Sequence, residues 1–270
     1  MEGIKKHIEK FFFYNIDVVL MYAAVSLVFL HKITAFHIDI QIACFIFIAN
    51  IFGVLGIYLL NKITDKEEDR LNGHQTITLN NRKIYRVLLL LFIGATCLYF
   101  ATGKEYITFY GLLLFILGSA YSFPKKYRLK NIFLIKNIVP AFCWYFSLSV
   151  FIFACTKNLP ILYIMQLMIP LFVLEFIFEI IWDLPDKDGD KLAHIQTLPA
   201  VLGFVYTQTI LAILICLYFF YTNSIQNKLF CLCIFIFLLF IKKETRKYIY
   251  HYFLFILTIT VAFAYFIQFV

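Results

Sequence analysis

Nine apolar runs, most of them about as long as a helix needs to cross a lipid bilayer, dominate this sequence. They fall near 11–30, 38–60, 84–102, 106–123, 132–153, 160–182, 199–221, 228–241 and 248–270, with 228–241 the shortest. A helix needs roughly 20 apolar residues to traverse the hydrocarbon layer. With 63% of its 270 residues hydrophobic and 15% charged, the chain is too apolar for a water-soluble domain. Lipid offers the backbone no hydrogen-bond partners, so runs of this length must close their bonds internally, as helices. The expected fold is therefore all-α: a polytopic membrane protein of nine transmembrane helices, one domain over 1–270. The first run follows Lys5, Lys6 and Lys10 and lacks a small-residue cleavage site, so it reads as a retained span and not a signal peptide.

Charge orients the bundle, because Lys and Arg accumulate in cytoplasmic loops. With the N-terminus inside, the inner segments hold Lys5, Lys6 and Lys10; Lys62, Lys66, Arg70, Arg82, Lys83 and Arg86; Lys125, Lys126, Arg128, Lys130 and Lys136; Lys187 and Lys191; and Lys242, Lys243, Arg246 and Lys247. These are 20 of the 24 basic residues, and only Lys32, Lys104, Lys157 and Lys228 fall outside. The C-terminus is then on the opposite side. The net charge of +8 reflects this bias and attraction to anionic lipid, and calls for no nucleic acid. The seven cysteines sit within spans, without the spacing of a disulfide framework or a zinc site.

The acids are not scattered. Of 16 Asp and Glu, four lie in 65–69 and six in 175–190. Asn61, Asp65 and Asp69 recur every four residues, a spacing that stacks them on one face of a helix. The pattern returns 121 positions later: Asp65, Lys66, Asp69, Arg70, Leu71, Gln75 and Thr76 are echoed by Asp186, Lys187, Asp190, Lys191, Leu192, Gln196 and Thr197. Two pseudo-repeats follow, with motifs near 61–76 and 182–197, both on the cytoplasmic side. Charged loops of a membrane protein are the plain reading of either window alone; their matched spacing favours a built site. Clustered carboxylates repel unless a cation neutralises them. Mg²⁺ takes oxygen ligands and is typically held by one or two carboxylates plus substrate phosphates. The pattern points to ionisation of a diphosphate at a membrane surface.

A third stretch, Tyr121-Ser-Phe-Pro124 through Arg128-Leu-Lys130 to Lys136-Asn137, lies on the same side. Pro124 should stop the fourth span. Lys125, Lys126 and Lys130 read as anchors at the membrane surface. Lys136 follows Ile132-Phe-Leu-Ile135 and so belongs within the bundle, where a charge normally has a partner or a task. Arg128 suits two-pronged phosphate contact, or is a plain loop arginine.

In order and spacing these motifs resemble the UbiA superfamily of intramembrane prenyltransferases. The residues that carry the likeness are Asn61-x-x-x-Asp65-x-x-x-Asp69, Tyr121-Ser-x-Pro124-x-x-x-Arg128-Leu-Lys130 with Lys136-Asn137, and Asp186-x-x-x-Asp190 with Thr197-Leu-Pro-x-x-x-Gly203. The resemblance covers about 45–205. It implies nine helices around a central cavity, Mg²⁺ bridging the Asp motifs to an isoprenyl diphosphate, a tail in an apolar tunnel open to lipid, and a lipophilic acceptor that captures the allylic cation. Asn61, Asp65, Asp69, Asp186 and Asp190 match the Mg²⁺–diphosphate positions, and Asp183 an acid that often precedes the second motif. Lys136, Tyr121 and Arg128 match residues that line the diphosphate. Three places depart from the pattern: Asn15-Ile-Asp17 and Gln75-Thr-Ile-Thr stand where many members have Arg-Pro, and Ala193-His194 where Ala-Gly is common.

Glu175, Glu179 and Asp183 form an acidic stripe running into the sixth span. They either pair with Lys136 or another buried cation, or one takes the proton released when the cation is quenched. Transfer of a prenyl group to an aromatic or lipid acceptor is the leading reading. The alternatives are a terpene cyclase on the same scaffold and a divalent-cation transporter.

Overall fold

A computed structural model describes residues 16–32, 39–73, 76, 81–122, 128–156, 160–242, 245 and 247–267. Expectations that fall on Lys5, Lys6, Lys10, Asn15, Gln75, Pro124, Lys125, Lys126, Lys157, Lys243 and Arg246 lie outside these residues. The regular elements of the described residues are helices: α1 (Ile16–Lys32), α2 (Ile40–Thr64), α3 (Lys66–Leu71), α4 (Asn81–Ala101), α5 (Glu105–Ser122), a 3₁₀ turn (Leu129–Asn131), α6 (Ile135–Cys155), α7 (Ile161–Asp183), α8 (Lys187–Leu192), α9 (Leu198–Leu202), α10 (Phe204–Tyr221), α11 (Ile225–Phe240) and α12 (Lys247–Ile267). The chain is all-α, as the apolar runs require.

Every expected span overlaps one of these helices, though 199–221 is broken at Gly203 into α9 and α10; among the described residues six helices are long and apolar enough to cross a membrane: α2, α4, α6, α7, α10 and α12. Of the other three, α1 is described only from Ile16 onward. α1 contributes a short apolar segment, Ile16–Ser26. α11 has 16 residues, and α5, with 18, opens on Glu105 and carries tyrosines, threonine and serines along its length.

The helices pack as a bundle whose centre is α6 and α7, with α2 against α4 and α5 against α6. Leu148, Phe151 and Ile152 of α6 and Ile177, Phe178, Ile180 and Ile181 of α7 are almost wholly buried. The first and last helices close the bundle. α1 lies along α12, and Asp17 meets His251 at 2.7 Å, with the Trp182 ring stacked on the imidazole. Large apolar side chains left uncovered, such as Leu90, Phe100, Phe109, Leu162, Val205, Phe220 and Phe240, lie on the outside of the bundle. In water they would be an aggregation liability; in lipid they are the solvated face.

Two short helices cap one end of this bundle and position the site. α3 follows α2 and α8 follows α7, each of six residues, and the two pack on each other. Their local geometry is nearly the same. Asp65 (φ −94°, ψ 9°) and Asp186 (φ −90°, ψ 0°) precede them. Gly73 (φ 70°) and His194 (φ 59°) follow them in the left-handed region. Helices commonly end on such a residue, usually glycine. His194 takes the same backbone turn, and histidine is among the residues enriched there, so the departure from Ala-Gly leaves the turn intact.

Candidate active site

The spacing of the first motif survives a break in the helix. α2 ends at Thr64, yet the Asp65 amide donates to the Asn61 carbonyl and the Asp69 amide to the Asp65 carbonyl, each at 2.8 Å, so the four-residue rise continues into α3. In the second motif the Asp186 amide bonds the Asp183 carbonyl at 3.1 Å, and the Asp190 amide the Asp186 carbonyl at 2.8 Å. The side-chain amide of Asn72, just after α3, donates to Asp190 Oδ1 at 3.3 Å. Gly189 permits this approach, since a Cβ there would collide with the Asn72 side chain. Both acidic stations therefore face one another at one end of the bundle.

Each carboxylate already has a cation. Lys130 and Arg128 bind Asp65 and Glu68, with Lys130 Nζ 2.6 Å from Glu68 Oε2 and Arg128 3.5 Å from Asp65 Oδ1. Lys62 Nζ lies 3.2 Å from Asp69 Oδ2. Lys136 bridges Asp183 (2.8 Å) and Asp190 (2.7 Å), and Lys247 pairs with Asp186. Asn137 adds a 2.7 Å hydrogen bond to Asp183. Burial opposes the charge on Asp65, but Lys130, the hydrogen bonds from Lys130 and Thr64, and Arg128 together hold its carboxyl below the usual carboxylate range.

The geometry brings together all nine sequence-predicted site residues, though not always as expected. Asn61 is part of the face, but Ser122 donates to its side-chain oxygen. Tyr121 uses its hydroxyl on the Lys136 carbonyl at 3.1 Å, fastening α5 to the first turn of α6. Lys130, expected as a surface anchor, is buried between two carboxylates because Leu129–Asn131 form a turn that carries it under α3. Of the acidic stripe, only Asp183 reaches Lys136. Among the described residues Glu175 and Glu179 make no ion pair or hydrogen bond, and Glu179 lines a cavity.

Sequence reasoning missed Glu68, Lys62, Asn72 and Lys247. Glu68 is out of register with the Asp motif, and Asn72 carries no charge. Lys247 had a signal, a cation at the very start of the last apolar run.

Inward from this face an apolar cavity of about 200 Å³ runs into the bundle. Asn61, Tyr121 and Glu179 line its mouth, Ile57, Leu114 and Gly118 its middle, and Tyr22, Asn50, Tyr99 and Ser147 its floor. Asn61 and Asn50 are eleven residues apart on α2, a rise of about 16 Å.

The donor set suits a hard divalent ion such as Mg²⁺, since Asp65, Asp69, Asp186, Asp190 and Asn61 offer only oxygen. Among the described residues no three Asp, Glu, His or Cys side chains converge tightly enough to hold an ion unaided.

The described residues thus form a helical bundle with facing acidic stations at one end and an apolar cavity running inward from them. Residues 19–253 match the model of the UbiA prenyltransferase family, and the chain belongs to that family. Solved structures with similar folds include a digeranylgeranylglyceryl phosphate synthase (19% identity, covering 99% of this chain and 98% of that one, TM-score 0.63). A UbiA homologue from Archaeoglobus fulgidus, bound to GPP and Mg²⁺, is 17% identical over 95% of this chain and 99% of its own, with TM-score 0.60. A UbiA homologue from Aeropyrum pernix K1 without ligand is 14% identical over 93% and 96%, with TM-score 0.62. No curated protein sequence matches the chain significantly.

Proposed function

We propose that the chain is a Mg²⁺-dependent intramembrane prenyltransferase that ionises an isoprenyl diphosphate between α3 and α8 and passes the prenyl group to a lipophilic acceptor. The supporting observation is the placement of two acidic stations against each other over the mouth of an apolar cavity. Asp65, Asp69, Asp186, Asp190 and Asn61 would hold Mg²⁺, whose chemistry is to neutralise charge on the departing diphosphate. Lys136, Arg128 and Tyr121, with Asp183 orienting Lys136, surround the diphosphate. The ammonium groups now resting on carboxylates turn to phosphate oxygens when substrate arrives. The tail lies in the cavity, which keeps water from the allylic cation. Glu179, facing the cavity without a partner, takes the proton that the acceptor loses as its bond to the prenyl C1 forms.

The basic-residue bias supports a cytoplasmic site, with the N-terminus on that side. Pairing of Lys247 with Asp186 at the start of α12 supports a C-terminal end at the opposite face. The matched caps of α3 and α8 support α2–α3 and α7–α8 as counterparts in two pseudo-repeats.

A cyclase is the second reading, favoured because Asp17, near where many members carry arginine, is engaged with His251 and offers no cation to an acceptor. The test offers purified protein allylic diphosphates of C10 to C50 length with Mg²⁺, with and without acceptors. Product mass spectrometry should show a prenylated acceptor; hydrocarbon or alcohol formed without acceptor would establish the cyclase. Mg²⁺ flux in liposomes with no diphosphate release would replace both readings with transport.

A further inference from the structure

The floor and the side wall of the cavity differ in chemistry, and the difference says where a long tail goes. At the floor the Asn50 side-chain oxygen accepts from the Tyr99 hydroxyl, while Asn50 Nδ2 is buried with no partner among the described residues. Tyr22 and Ser147 stand beside it. The Asn50–Tyr99 pair closes this end, and a tail pressed against it meets amide and hydroxyl groups and no apolar continuation. The side wall is apolar. Phe115 of α5 faces the cavity on one side and, on the other, a groove between α4 and α5 lined by Phe92, Ile93, Thr96, Phe100 and Ile116. Ile93, Phe100 and Ile116 are exposed on the outside of the bundle, where lipid would meet them.

The Phe115 ring is thus the partition between the two spaces. It sits on Gly53, where an added Cβ would come within 2.9 Å of Phe115 Cε1, and it lies 5.1 Å from the Phe92 ring and 6.4 Å from the Tyr99 ring. We propose that Phe115 determines the length of prenyl tail this chain accepts, with the α4–α5 groove receiving the hydrocarbon that extends past it. This rests on the reading that the cavity holds a prenyl tail, and it adds a route: the tail turns sideways at Phe115 because the Asn50–Tyr99 pair bars the way straight ahead.

The test measures binding, so it does not depend on turnover. Unreactive prenyl thiodiphosphates of C10, C15 and C20 length are titrated with Mg²⁺ into the full chain in detergent micelles. Phe115→Ala should raise the affinity for C20 relative to C10 by about tenfold or more, the scale on which an apolar pocket discriminates by added methylenes. Phe115→Trp should move the ratio the other way. Adding Thr96→Trp, which fills the groove, should cancel the Phe115→Ala gain. Phe115→Leu, which keeps an apolar filling, serves if the alanine variant does not fold, and should shift the ratio in the same direction. An unchanged ratio in these variants, or a gain that survives Thr96→Trp, overturns the proposal. If the ratio shifts as stated but no allylic diphosphate turns over, the tail site stands and the enzymatic reading fails. If no thiodiphosphate binds the unsubstituted chain, both fall.

Discussion

Lys136 offers the sharpest test of how the site is held. Its ammonium lies 2.8 Å from Asp183 Oδ1 and 2.7 Å from Asp190 Oδ2, and the three side chains are 15%, 8% and 3% exposed. At an effective dielectric of about 20, each contact carries roughly 6 kcal/mol of gross attraction. Desolvation offsets most of that, but removing the cation leaves two carboxylates facing one another in a dry place. Lys136→Met should therefore cost about 3–5 kcal/mol. Asp183→Asn should cost less, because Lys136 keeps Asp190. The double variant should be more stable than the sum of the single losses predicts, by about 1–3 kcal/mol. Unfolding by dodecyl sulfate in mixed micelles, followed by the fluorescence of Trp144 and Trp182, measures all four corners. Additivity within about 0.5 kcal/mol, or a Lys136→Met protein as stable as the parent, would refute the argument.

Asp65→Ala and Asp186→Ala should each abolish turnover while the protein still folds, as checked by product formation beside the elution profile in detergent. Glu179→Gln should retain diphosphate release but lose the prenylated product in favour of solvolysis alcohol; equal loss of both would assign Glu179 a structural role. Because the folded-state pKa of Asp65 is depressed, its ion pairs stabilise the protein at neutral pH and this contribution is lost as pH falls below the normal carboxylate value of about 3.9. Asp65→Asn should flatten the acid limb of the stability profile below about pH 4, read by the same unfolding assay.

The fold was legible because nine apolar runs leave a chain in lipid little choice but helices, and the first acidic station because Asn61, Asp65 and Asp69 repeat at the helical period. What periodicity does not carry is the partner of each charge. Lys130 looked like an anchor because sequence gives its distance from the membrane edge but not the turn at Leu129–Asn131 that buries it. Glu68 sits between two motif residues and out of their register, so nothing marked it as the second carboxylate for Arg128 and Lys130. Lys247 meets Asp186 across 61 positions, a pairing that exists only once α12 has packed beside α7. The short span was legible too: 228–241 is the shortest of the nine runs, and α11 over it has 16 residues, a rise of about 24 Å.

The paired charges at the mouth of the cavity carry a consequence for the resting protein. Six acids there are quenched by five bases supplied from the same chain. A molecule that brings its own counterions needs none from solution while idle. Stripping divalent ions with a chelator should then silence it without loosening it, and magnesium should be captured jointly with the diphosphate instead of waiting in place beforehand.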